Sequence, residues 1–158
     1  MAEAVIPDRA ISVRAPWWAA ILHLGKDIEN RPRHWHHQGR VWLHASSWWS
    51  TKAVQDEWWN VARHCYMASE AFDDQPRTGP TWSEMKAAGG SIVGSVELCG
   101  SVEESDSPWF FGPVGIKLAN PVALSTPVPC KGALGLFRLP SDVLEELAGR
   151  IAGGIDNG

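Results

Sequence analysis

Cysteine is scarce in this chain. Cys65, Cys99 and Cys130 stand far apart, with no Cys-x-x-Cys pair. An odd, unclustered set argues against a disulfide framework and against a zinc cluster, and suits a reducing compartment. Long apolar runs are missing too: none approaches the ~20 residues that span a bilayer. No basic-plus-apolar leader opens the chain, so a cytoplasmic location without membrane contact is expected. Internal repeats, low-complexity blocks and linkers are also lacking. The 158 residues therefore read as one domain, 44% hydrophobic and 20% charged, able to bury a core without staples.

What the chain has in excess is tryptophan and a local basic zone. Ten tryptophans are expected mostly in the core, those beside polar loops being candidates to stack on a planar ligand. The formal charge of −4 excludes bulk attraction of polyanions. Yet Arg9–His44 carries six Lys/Arg against two Asp/Glu, with five of the six histidines. Such a zone on an acidic protein fits contact with one or a few phosphates, unless folding disperses it.

The periodicities predict strands at Ala10–Val13, Asp27–Asn30, Arg40–His44, Ser91–Glu103, Val114–Leu118 and Leu134–Leu139. Gly94 and Gly100 mark bends in the long strand. A helix over Pro16–Leu24 has proline in its first turn and Gly25 past its end. Val54, Trp58, Val61, Cys65, Ala68 and Phe72 make the apolar face of a second helix. Residues 73–80 form a polar loop before a helical patch at Trp82–Ala88. Ser141 caps a last helix, to about residue 152, carrying Leu144, Leu147 and Ile151. Five to seven strands with helices between them predict an α+β domain built on a curled sheet or small β-barrel.

Gly25-Lys26-Asp27-Ile28-Glu29-Asn30-Arg31 is the densest chemical stretch. On an extended backbone Glu29 and Arg31 share a face, and Lys26, at the helix-to-strand junction, reaches the same space. The three charges make either a ligand site or a salt bridge that pins the corner.

Three blocks around that stretch resemble the ASCH domain of the PUA-like superfamily. They are Ile11-Ser12-Val13-Arg14-Ala15-Pro16-Trp17, the Lys-x-x-Glu-x-Arg signature at Lys26, Glu29 and Arg31, and Gly39-Arg40-Val41-Trp42-Leu43-His44-Ala45-Ser46. Later blocks agree: Ile92-Val93-Gly94, Pro108-Trp109-Phe110-Phe111-Gly112-Pro113 and Pro129–Leu136. The match covers about residues 11–139. Leu24 stands where the signature glycine lies, and Ala15 where glutamine is common. The resemblance implies a small PUA-like β-barrel flanked by helices, with a cleft that binds RNA, single-stranded nucleic acid or a nucleoside, modified or not. Some members hydrolyse N4-acylated cytidine and carry threonine three residues after the lysine, where this chain has Glu29. Others are ribonucleases or parts of coactivator-like proteins. A hydrolase and a protein-interaction module therefore stand beside the binding reading. No cofactor and no metal are implied.

Under that resemblance Lys26 is a base, a nucleophile or a phosphate-holding point charge. Glu29 accepts from a base amine or acts as general base, with Glu97 as second carboxylate. Arg31 suits a phosphate, and Arg14, Ser46 and His44 belong to blocks beside it. Trp109 and Phe110 are stacking candidates in a loop whose rings also suit a barrel plug. Trp17 is half core and half cleft wall; Lys131 closes the far side or forms a turn. Trp58 is core. His34-Trp35-His36-His37 lacks the partners of a preformed metal site.

Overall fold

Proline and glycine set the first corner. The computed structural model describes residues 5–66 and 79–154, with residues 60–66 described by their helical backbone. Strand β1 (Arg9–Val13) ends before Pro16, which occupies the N-cap of helix α1 (Trp17–His23). Past the C-cap residue Leu24, Gly25 takes φ +73°, a left-handed conformation that glycine adopts without a Cβ clash. The Lys26 N–H turns back onto the Ala20 carbonyl at 3.2 Å, and β2 (Ile28–Arg31) follows.

The remaining elements are β3 (Gly39–Ala45), α2 (Thr51–Tyr66), α3 (Trp82–Ala88), β4 (Ser91–Val102), β5 (Val114–Pro129), β6 (Leu136–Arg138) and α4 (Ser141–Ala152). The strands form one mixed sheet in the order β2-β5-β4-β3-β1-β6, with β1 and β3 parallel and every other neighbour antiparallel. The chain is thus α+β on a curled six-stranded sheet. Register slips in the β4–β5 pairing fall at three places, between Ile92 and Gly94, Ser95 and Glu97, and Leu98 and Ser101; the first and last lie close to the two glycines expected to bend β4.

Two expectations are corrected. The strand expected to stop at Leu118 runs on to Pro129, through Pro121 and Pro127. β2 pairs only with Val114–Lys117, so the rest of β5 has a strand on one side alone, and its open edge tolerates residues without an N–H. Ser141 does not cap α4. It is already helical, Pro140 holds the N-cap position, and no side-chain cap forms. By contrast, Thr81 and Glu84 close a full capping box on α3.

Apolar residues fill both faces of the sheet. Ile11, Val13, Val41, Leu43, Val96, Leu98 and Ile116 pack against α1, Val54 and Trp58 of α2, and Met85 of α3. Ala10, Trp42, Ile92 and Val128 pack against Val143 and Leu147 of α4. Four tryptophans (Trp18, Trp42, Trp58, Trp109) are buried, and Trp17, Trp35, Trp49 and Trp82 pack against the larger cluster. Since Val54 and Trp58 are covered, the described part of the α2 stripe is core and offers no docking face. Ala68, Phe72 and residues 73–78 lie outside the described residues, as do the side chains of Val61 and Cys65. Among the described residues, no helix is long and apolar enough to cross a membrane.

Candidate functional site: a charged cleft at the sheet seam

Strand β6 is three residues long and covers β1 only from Arg9 to Ile11. The Ser12 carbonyl lies beyond its end. Arg31, on the opposite edge strand β2, donates to that carbonyl from Nη2 at 3.0 Å. The sheet has therefore curled until β2 reaches β1, and the seam holds a cleft of about 610 Å³. Arg14, Trp17, Lys26, Glu29, Arg31, Ser46 and Phe111 are among its lining residues.

The three charges expected to meet do meet. Glu29 Oε2 accepts from Lys26 Nζ at 3.2 Å, and its Oε1 pairs with Arg31 Nη2 at 3.3 Å. Lys26 also donates to the Ile28 carbonyl, and its ammonium sits 5.8 Å from the centroid of Trp17. The lysine is only 4% exposed. Burial pulls its pKa below the ordinary 10.5, Glu29 opposes that pull, and Arg31 adds to it. Both Glu29 oxygens are thus engaged by cations, and Lys26 is wedged behind the carboxylate instead of standing free for a phosphate.

Arg31 keeps more in reserve. Its guanidinium stacks over Trp35 at 5.1 Å, and its buried Nε has no hydrogen-bond partner among the described residues. A donor shut away from solvent without an acceptor carries a desolvation cost, while the rest of the Arg31 side chain, 21% exposed, faces the cleft it lines. Arg14, farther out, stacks on Trp48 at 4.8 Å and pairs with Glu57 at 3.4 Å. The wall carries three cations against one carboxylate, a local positive excess on an acidic chain.

His44 is a buried, satisfied histidine. Its Nε2 lies 2.7 Å from the Cys130 carbonyl, which only accepts, so Nε2 carries the proton. Nδ1 therefore accepts from Ser12 Oγ at 3.0 Å. Burial lowers the pKa of this imidazole, with the Cys130 contact opposing, so it is neutral at neutral pH. His44 and Lys131 line a second hollow beside the cleft, while Ser46 lines both.

The aromatic loop is arranged differently from expectation. Trp109 is 5% exposed and belongs to the core, so it is no stacking surface. Phe110 is half-buried over Gly115, where a Cβ would lie 2.7 Å from its ring. The ring offered to the cleft is Phe111, at 61% exposure. Asn30 fixes it there: its Oδ1 accepts from the N–H groups of Phe111 at 2.8 Å and Gly112 at 3.2 Å, and its Nδ2 donates to the Trp109 carbonyl at 2.9 Å. Asn30 was missed, and Phe111 was named only within the aromatic loop. Alternation puts Asn30 on the face opposite Glu29 and Arg31, and its partners lie 79 to 82 residues further along the chain, so no local signal marked them.

Glu97 does not join the cleft. It lies on the sheet beside Arg40, with Arg40 Nη2 at 3.2 Å and Asn120 Nδ2 at 3.2 Å on its two oxygens. Its strand position puts it on the face away from the larger core, with Ser95 and Trp42. In the histidine loop, His34 bonds Ser101 Oγ at 2.7 Å and meets Glu103 at 3.3 Å. Among the described residues no group of three or more His, Cys, Asp or Glu side chains is placed to hold a metal.

No protein-family model matches this chain, and no curated protein matches it.

Proposed function

We propose that the chain is an ASCH-type, PUA-like domain that binds single-stranded RNA, seating one nucleotide in the seam cleft. The observation that carries this reading is Arg31: a partly exposed guanidinium on the wall of an open cleft that three cations and one carboxylate line. Its fork suits a phosphate or ribose oxygen, and Glu29 and the Ser12 carbonyl hold it in place. Phe111 on the rim supplies a π-face for the base, a contact that every base can make. Ser12, Ser46 and Arg14 add polar groups to the wall.

Fluorescence anisotropy with a labelled single-stranded oligoribonucleotide tests this directly. Phe111→Ala is expected to weaken binding by about tenfold, the loss of one base–aromatic stack. Arg31→Lys, which keeps charge and removes the fork, is expected to lose about as much, as befits a charged hydrogen bond. Binding unaffected by either change refutes the reading.

A second reading, hydrolysis in the same cleft, is favoured by Lys26 alone. A lysine buried against a carboxylate, its pKa lowered by desolvation, is poised as a base or nucleophile. Turnover of RNA or N4-acetylcytidine that vanishes in Lys26→Met supports this reading; saturable binding without turnover leaves the binding reading alone.

A further inference from the structure

We infer that the seam cleft is the first of two cups that hold consecutive nucleotides of one RNA strand, with Leu134 as the wedge between them. The inference rests on the reading of the seam cleft as a nucleotide site. A second hollow of about 880 Å³ adjoins the first, and Ser12, Ser46, Ala133 and Leu134 line both. Each volume is within the range of small-ligand pockets, ~300–1,000 Å³, so each takes a base with its ribose.

Leu134 is 99% exposed on the shared wall. A lone exposed leucine is ordinary on a surface. On a rigid ridge between two hollows, however, an apolar side chain is the device that parts neighbouring bases. The ridge is rigid at its base. The Cys130 carbonyl is held by His44 and the Cys130 N–H by the Gly90 carbonyl at 3.0 Å. Gly132 sits so close over the imidazole that an added Cβ would lie 2.4 Å from its Cε1.

The second cup has its own phosphate and base chemistry. Lys131 is exposed on its wall, with no ion-pair partner among the described residues. Its ammonium is a point charge for the phosphate that follows the ridge. Asp142, also on the wall, repels a phosphate and accepts from a base amino group. The hydroxyls of Ser12 and Ser46 flank the path between the cups.

Calorimetric titration of the whole chain with cytidine 5′-monophosphate and with the 5′-phosphorylated ribodinucleotide pCpC tests the inference. pCpC is expected to bind at least about tenfold tighter, the worth of one further charge-assisted phosphate contact, to Lys131. Lys131→Ala, at a side chain that lines only the second hollow, is expected to remove most of that gain and leave mononucleotide affinity unchanged, and Leu134→Ser is expected to remove most of the gain. Lys131→Ala also lowers the slope of log K against log salt by about 0.7 for pCpC. Equal affinity for the two ligands, or a Lys131→Ala variant that weakens both alike, overturns the second cup while the first stands. No binding of either ligand overturns both.

Discussion

Glu29→Ala is expected to cost about 3–5 kcal/mol of stability, the penalty for removing one member of a buried ion pair. The side chains of Lys26 and Glu29 are 3% and 12% exposed, so the pair is largely withdrawn from solvent. The variant leaves a buried ammonium facing the like charge of Arg31. Urea denaturation measures the effect as a lower midpoint at unchanged slope. Adding Lys26→Met removes the stranded charge and recovers much of the loss. If the double variant is no more stable than Glu29→Ala, the pair is not the cause.

The same pair sets a pH dependence. Burial keeps the Lys26 pKa in the folded protein below its ordinary 10.5. Between those two values the unfolded chain binds more protons than the folded one, so this group makes stability rise with pH up to about 10.5. Glu29→Gln removes the contacts that raise the lysine's pKa, so the rising limb starts at lower pH. In Lys26→Met that contribution is absent. Unfolding free energies on the alkaline side that are the same with and without Lys26 contradict this assignment.

Gly132→Ala is expected to destabilise by about 1–3 kcal/mol, as overpacking does where neighbours cannot yield. The new Cβ would lie 2.4 Å from Cε1 and 2.9 Å from Nδ1 of His44. That ring is 2% exposed, bonded at both nitrogens, and met edge-on by Phe137 at 5.7 Å. The loop must lift instead, breaking the His44–Cys130 bond. In wild type the imidazole Nε2–H is buried and bonded to the Cys130 carbonyl, so a sharp, slowly exchanging resonance is expected. In the variant its proton resonance is expected to broaden or vanish, together with a fall in melting temperature. A sharp, unchanged resonance shows that the loop absorbed the methyl group without moving.

Much of this was legible in the chain. Period-two spacing placed Glu29 with Arg31, and the glycine after α1 brought Lys26 beside them, because these are contacts between near neighbours. The 4-3-4 spacing of Val54 and Trp58 likewise marked a covered helix face. Residues whose partners are remote were harder to read. Glu97 looked available as a second carboxylate, but Arg40 and Asn120 claim it from adjacent strands. Trp109, Phe110 and Phe111 are three consecutive rings, and nothing local says which is core. Asn30, 81 residues away in sequence from the Phe111 N–H it binds, makes that choice.

The sequence alone determined the α+β class, the helix-to-strand corner at Gly25 and the meeting of Lys26, Glu29 and Arg31. Backbone periodicity and glycine's left-handed freedom act over a few residues and need no partner. The tertiary structure decided the cleft itself. A short β6 leaves the Ser12 carbonyl uncovered, and the curl of the sheet brings Arg31 to it from the far edge. It also decided which aromatic ring faces the cleft, and that Lys131 stands in a neighbouring hollow across the Leu134 ridge. These features depend on distances between strands far apart in the chain. Burial and closure set those distances only once the whole sheet has formed.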